Sequence, residues 1–144
     1  MSKLRRPRRS EYSREVVLGS RWDDNDIFGH LNNAVHYRLF DTVVNGFLIA
    51  DCGFDPLTSE VVGLVVESGC CYFSELRFPQ VIVAGLRVDH IGNSSVRYEI
   101  GLFDKDELES AAQGYFVHVF VDRLSRRPRP LPPWLRDGLS VLHR

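Results

Sequence analysis

The stretch from Ala34 to Ala50 constrains this chain more than any other. Its apolar residues Val35, Leu39, Phe40, Val43, Val44, Phe47, Leu48 and Ile49 recur at helical steps, while Arg38, Asp41, Thr42 and Asn45 fall on one narrow polar stripe. A helix with so little polar surface is buried over most of its circumference, so the rest of the chain has to wrap around it. Asn33 is the expected N-cap, with Asn32 as the alternative, and Gly53 and Pro56 end the helix near Asp51.

The wrapping material reads as β-structure. Glu15–Trp22 is a first strand that stops at the polar run Asp23–Asp26. After the helix come Val62–Tyr72, Val81–Ile91, Ser95–Phe103 and Ala111–Val121. In the third of these, Val96, Tyr98, Ile100 and Leu102 face one way and Arg97 and Glu99 the other, the pattern of a half-buried strand. Ala111–Val121 is apolar on both faces and belongs in the middle of a sheet. Gly92-Asn93 and the acidic run Asp104–Glu109 are short connectors, so the last three strands form an antiparallel meander. A short helix, Trp134–Leu142, follows an Arg/Pro-rich segment. The prediction is an α+β domain in which a curved antiparallel sheet wraps one long central helix. Such a sheet leaves edges, and edge-to-edge pairing with a second copy is expected.

A length of 144 residues fits one domain, taken as 11–144, behind a basic arm, 1–10, that carries Arg5-Arg6-Pro7-Arg8-Arg9 and reads as disordered. The net charge of −1 hides an asymmetry: residues 15–122 hold six bases against seventeen acids, and the remaining bases sit at the two ends. Basic ends on an acidic body do not make a nucleic-acid footprint, so no nucleic-acid partner is expected. No apolar run reaches the ~18–20 residues of a membrane span, and no secretory signal is visible. Cys52, Cys70 and Cys71 form no disulfide framework and suit a reducing cytoplasm. With no C-x-x-C and no ligand spacing among the five histidines, neither a metal nor a cofactor is expected.

Chemistry is expected where the polar run meets the helix, within Arg21–Asn33. A helix N-terminus offers free backbone N–H groups and a partial positive charge, and Asp26 lies a few residues upstream of it. The pattern Asp24-x-Asp26-x-x-Gly29-His30-x-Asn32-Asn33, followed by Tyr37 and the long apolar helix, resembles the hot-dog-fold acyl-CoA thioesterases, in particular the 4-hydroxybenzoyl-CoA thioesterase group. The turn Gly92–Val96 is similar to that group's strand-turn-strand.

That resemblance implies hydrolysis of an acyl-CoA to a free acid and CoA. Asp26 would act as nucleophile or as general base on a water, and amides near Asn33 would polarise the thioester carbonyl. His30 either orients Asp26 or polarises water, against a purely structural role in the turn. Asn32 and Asn33 read as caps and substrate contacts, and Asp23 and Asp24 as solvated or bonded to the turn. Tyr37 either lines an acyl pocket or packs, and Glu67 is a second acid, since hot-dog dimers build each site from both subunits. Ser94 and Ser95 are the polar groups of a turn that in relatives grips the nucleotide, without the basic residues found there; Arg123, Arg126 and Arg127 are substitutes on charge alone. If Tyr37, Phe40, Phe47 and Phe73 line the cavity, the acyl group is medium to long and apolar. The assembly implied is a homodimer with shared sites, paired further into a homotetramer. The alternative is an acyl- or acyl-CoA-binding protein that kept the fold without turnover.

Overall fold

The computed structural model describes residues 4–143. Strand β1 (Arg14–Leu18) leads through a single 3-10 turn at Trp22–Asp24 into helix α1 (Asn33–Cys52). Strands β2 (Val61–Tyr72), β3 (Ile82–Ile91), β4 (Ser95–Asp104) and β5 (Ala112–Asp122) follow, and helix α2 (Pro133–Ser140) ends the chain. They form one sheet in the order β1-β3-β4-β5-β2, with every neighbouring pair antiparallel. β5 is internal, between β4 and β2, as its two apolar faces require.

The helix lies in the concavity of this sheet. Phe40 and Val44 are fully buried, and Val43, Phe47 and Leu48 nearly so, against Tyr98, Ile100, Phe116 and Phe120. Contact is closest at Gly114, where an added Cβ would collide with the Phe40 ring. α2 closes the far end with Leu135 and Leu139, both fully buried. Arg14 ties β1 to the helix through Asp51 at 2.7 Å and lies over the Phe47 ring.

Most element ends shift by a residue or two from the sequence reading, and three departures are larger or bear on the site. The first strand is shorter, because its polar continuation turns away as a 3-10 turn rather than pairing. The N-cap is Asn32 and not Asn33: the Asn32 side chain accepts the Ala34 N–H at 2.9 Å, and Asn33 is already helical. The third difference is in the basic arm, whose residues 1–3 lie outside the described residues. Its remainder is held rather than free: Pro7 O accepts the Ser110 N–H at 3.0 Å, and Arg6 donates to Ser110 O at 3.0 Å. Unpaired backbone groups of the β4–β5 connection supply partners that local sequence does not reveal.

Candidate active site

Asp26 sits in a tight turn. Its N–H donates to His30 O at 2.9 Å, its own carbonyl accepts from Gly29 at 3.1 Å, and its Oδ1 accepts the Phe28 N–H at 2.8 Å. Gly29 makes the turn possible with φ of 83°. The turn is anchored to the segment after β2: Leu31 N–H donates to Leu76 O at 2.7 Å, and Phe78 N–H donates to the Asn25 side chain at 3.0 Å.

A second anchor runs to the helix. Asp24, only 1% exposed, accepts the Arg21 N–H at 2.7 Å and the Arg38 guanidinium at 2.5 Å. The least solvated of the clustered acids is thus Asp24, and its charge is answered by two arginines. Of the two expectations for Asp24, solvated or bonded to the turn, the second holds at the Arg21 N–H, and the contact with Arg38, fourteen positions on, is the part that the sequence does not display.

Asp26, His30 and Asn33 converge on a cavity of about 440 Å³ at the mouth of α1. The Asp26 side chain is 20% exposed and forms part of the wall of this space. At the helix start the Ala34 N–H is taken by the Asn32 side chain and the Val35 N–H by the Asn32 carbonyl, at 2.9 Å each. The Asn33 amide, first in the helix, has no acceptor among the described residues. His30 holds its Nδ1 3.2 Å from Leu31 O and 4.0 Å from Asp26, while its Nε2 is 3.9 Å from Glu75.

Other cavity walls were not anticipated: His36, Tyr72, Ser74 and Glu75 all line it. The last three come from the end of β2 and the residues just beyond, which reach the helix mouth only because β2 is a sheet edge. Tyr72 confirms the proximity by donating its hydroxyl hydrogen to Asn33 O at 3.0 Å.

Several expected residues lie elsewhere. Tyr37 is half-buried and packs edge-on against Phe40; the cavity is reached by its neighbour His36, because one residue is a 100° rotation on a helix. Phe40, Phe47 and Phe73 are core and not cavity wall, so the argument for a long apolar acyl chain loses its basis. Asn32 caps the helix just outside the cavity. Glu67 is on the outer edge strand, 3.9 Å from Arg97. Ser94 and Ser95 occupy the β3–β4 turn, whereas the cavity adjoins the end of β2, which pairs with the start of β5. Arg123 is spent on the carbonyls of Ser59 and Pro56.

A five-stranded antiparallel sheet curved around one long helix is the hot-dog fold, and its candidate site is the helix mouth. The chain belongs to the thioesterase-like superfamily, whose family model matches residues 20–139. That membership supports thioester hydrolysis as the general chemistry. Among solved structures the chain is similar to the PA5185 protein of Pseudomonas aeruginosa strain PAO1, with 50% identity, a TM-score of 0.95, and 96% of this chain and 97% of that one covered. It is also similar to the PA2801 protein of the same species, at 22% identity and a TM-score of 0.80, over 89% and 98% of the two chains. A third, Slr0204, a 1,4-dihydroxy-2-naphthoyl-CoA thioesterase from Synechocystis, is 11% identical with a TM-score of 0.79, over 88% and 94%; at such identity the likeness is one of fold. No match is found among proteins of curated function.

Proposed function

We propose that the protein hydrolyses an acyl-CoA thioester to a free carboxylic acid and CoA. The observation that carries this reading is the shared cavity of the Asp26 carboxylate and the unpaired Asn33 amide. The thioester carbonyl oxygen accepts from the Asn33 N–H, at the positive end of α1, as negative charge grows on it. In one route Asp26 attacks the carbonyl carbon, the C–S bond breaks to release CoA thiolate, and water then hydrolyses the resulting mixed anhydride to the free acid and the Asp26 carboxylate. In the other, Asp26 takes a proton from the water that attacks, the C–S bond breaks, and that proton passes to the departing thiolate or to solvent. His30 holds the turn beside Asp26 and faces the same space.

The active form is proposed to be a homodimer. Edge strand β2 leaves Leu64, Val65 and Val66 40%, 47% and 60% exposed, a row of aliphatics with unpaired backbone beside it. Antiparallel pairing of two β2 strands near their middle would bring the partner's β3–β4 turn toward this cavity. Ser94, Ser95 and Glu67 then serve the site from across the interface, with the CoA moiety lying there. The cytoplasm suits three free thiols.

Asp26→Asn and Asp26→Ala, assayed beside the wild type on a panel of aliphatic and aromatic acyl-CoAs, test the reading. Losses of about 10²–10⁴ in kcat are expected. Wild-type protein that stabilises thermally with CoA yet cleaves no member of the panel would instead select a binding role. Label found in the Asp26 carboxyl group after a single turnover in ¹⁸O-water identifies Asp26 as the nucleophile, because a general base exchanges no oxygen with the water it activates.

A further inference from the structure

Ser74 lines the cavity and has no part in the hydrolysis just described. Its position is fixed on both sides along the chain. Tyr72, two residues before it, donates its hydroxyl hydrogen to Asn33 O at 3.0 Å, and Leu76, two residues after it, accepts the Leu31 N–H at 2.7 Å. The segment therefore runs beside residues 31–33, with Ser74 between the two ties. Its backbone N–H is held by Ala111 O at 3.0 Å. The hydroxyl is reached by Arg6, which is not part of the cavity wall. Arg6 donates from Nη2 to Ser74 Oγ at 3.3 Å and from Nε to Ser110 O at 3.0 Å, with Glu109 3.7 Å from Nη1. Pro7 pins the same segment by accepting the Ser110 N–H at 3.0 Å. A guanidinium only donates, so Ser74 Oγ is the acceptor of its bond with Arg6, and the serine's own hydrogen is left to place. It has no acceptor among the described residues, and the side chain borders the cavity.

Water can take that hydrogen while the cavity is open. An acyl group that fills the cavity excludes water, and the donor then needs an acceptor on the ligand. Every acyl-CoA carries one at its thioester carbonyl, whose oxygen gains negative charge as the reaction proceeds. We propose that Ser74 is a second donor to that oxygen, beside the Asn33 amide. Arg6 is its positioning residue: by occupying a lone pair of Ser74 Oγ it directs the serine hydrogen to the substrate. The basic segment at the N-terminus thereby becomes part of the working site. This inference rests on the acyl-CoA reading above and deepens it.

The test presents hexanoyl-CoA and benzoyl-CoA to the full-length protein, with two non-hydrolysable analogues of each. In the ketone a methylene replaces the sulfur and the carbonyl stays; in the thioether the sulfur stays and a methylene replaces the carbonyl. Ser74→Ala should lower kcat by about 10²-fold with little change in KM, as for the loss of an oxyanion donor. Ser74→Thr, which keeps the hydroxyl, should retain most of the activity. The wild type should bind the ketone more tightly than the thioether, and that ratio should fall about 3- to 10-fold in Ser74→Ala. Arg6→Met should lower the ratio in the wild-type background and leave it unchanged in Ser74→Ala, a coupling that a merely structural role of the segment would not produce. Reading the ratio within each variant removes any general effect on folding. A wild type that does not prefer the ketone, or a preference undiminished in Ser74→Ala, overturns the donor role. An Arg6→Met ratio equal to the wild type's, or an effect of the same size in both backgrounds, overturns the positioning role. If no thioester is cleaved, the analogue ratios still decide the role of Ser74, and only the hydrolytic reading fails.

Discussion

The turn that carries Asp26 is held in place by Asp24, a buried residue outside the cavity wall. Its carboxylate joins the Arg21 backbone, at 2.7 Å, to the Arg38 side chain, at 2.5 Å, and so fixes the turn to the helix that supplies the Asn33 amide. Asp24→Ala removes the acceptor for both. A loss of about 2–3 kcal/mol is expected by chemical denaturation, at the scale of hydrogen bonds to a charged group, and kcat should fall with it because Asp26 loses its register. Asp24→Ala activity equal to the wild type's would separate this clamp from the chemistry.

His118 is a second residue whose burial has a measurable consequence. It is 2% exposed, with its Nδ1 3.1 Å from the Tyr98 hydroxyl, and burial pulls its pKa down to about 4. The folded protein keeps the ring neutral where the unfolded chain, with a pKa of about 6.5, takes up a proton. The resulting stability is fully present above about pH 6.5 and is lost as the pH falls toward 4, by up to about 3 kcal/mol. Unfolding free energies at pH 7.5 and 4.5 measure this, and His118→Gln should reduce the difference between them.

At the scale of elements, the long helix and the sheet determine each other. The periodicity of residues 34–50 demanded a wrapping layer, and the alternation of Ser95–Phe103 showed which face would supply it. What the pattern did not show is how closely the two would approach. Gly114 on β5 lies under the Phe40 ring, with no room for a methyl group. Gly114→Ala should therefore cost about 1–3 kcal/mol, seen as a lowered Tm, despite alanine's ordinary compatibility with a strand. Combination with Phe40→Leu, which withdraws the ring, should recover part of the loss. The basic segment teaches the converse lesson. Arg5, Arg6 and Arg9 read as solvated charge, yet they find Glu11, Ser110 and Glu15 once the chain has folded back over the β4–β5 connection. The Ser110 partner is distant in sequence, and the two glutamates, each six residues on, match no helical spacing.

For the whole molecule, the proposed assembly is tested at the β2 edge. Val66 is 60% exposed beside the bulge between Val65 and Glu67, in the middle of β2. Val66→Lys places a charge where two copies would pair. Light scattering should find a smaller species than the wild type, and acyl-CoA hydrolysis should fall in parallel if the partner's turn completes each site. An unchanged mass would relocate the interface.

Local patterns alone determined much of this protein. Helical and strand periodicities, turn residues and the Asp26–Asn33 motif depend on neighbours a few positions apart, and a sheet wrapped around a helix follows from them because no other packing buries both. The tertiary structure decided which side chains share the cavity: His36 in place of Tyr37, and Tyr72, Ser74 and Glu75 brought from the far side of the sheet. It also turned Asp24 inward while leaving Asp26 on the cavity wall. Those outcomes depend on helix rotation, strand order and long-range desolvation, quantities that exist only after the chain has closed on itself.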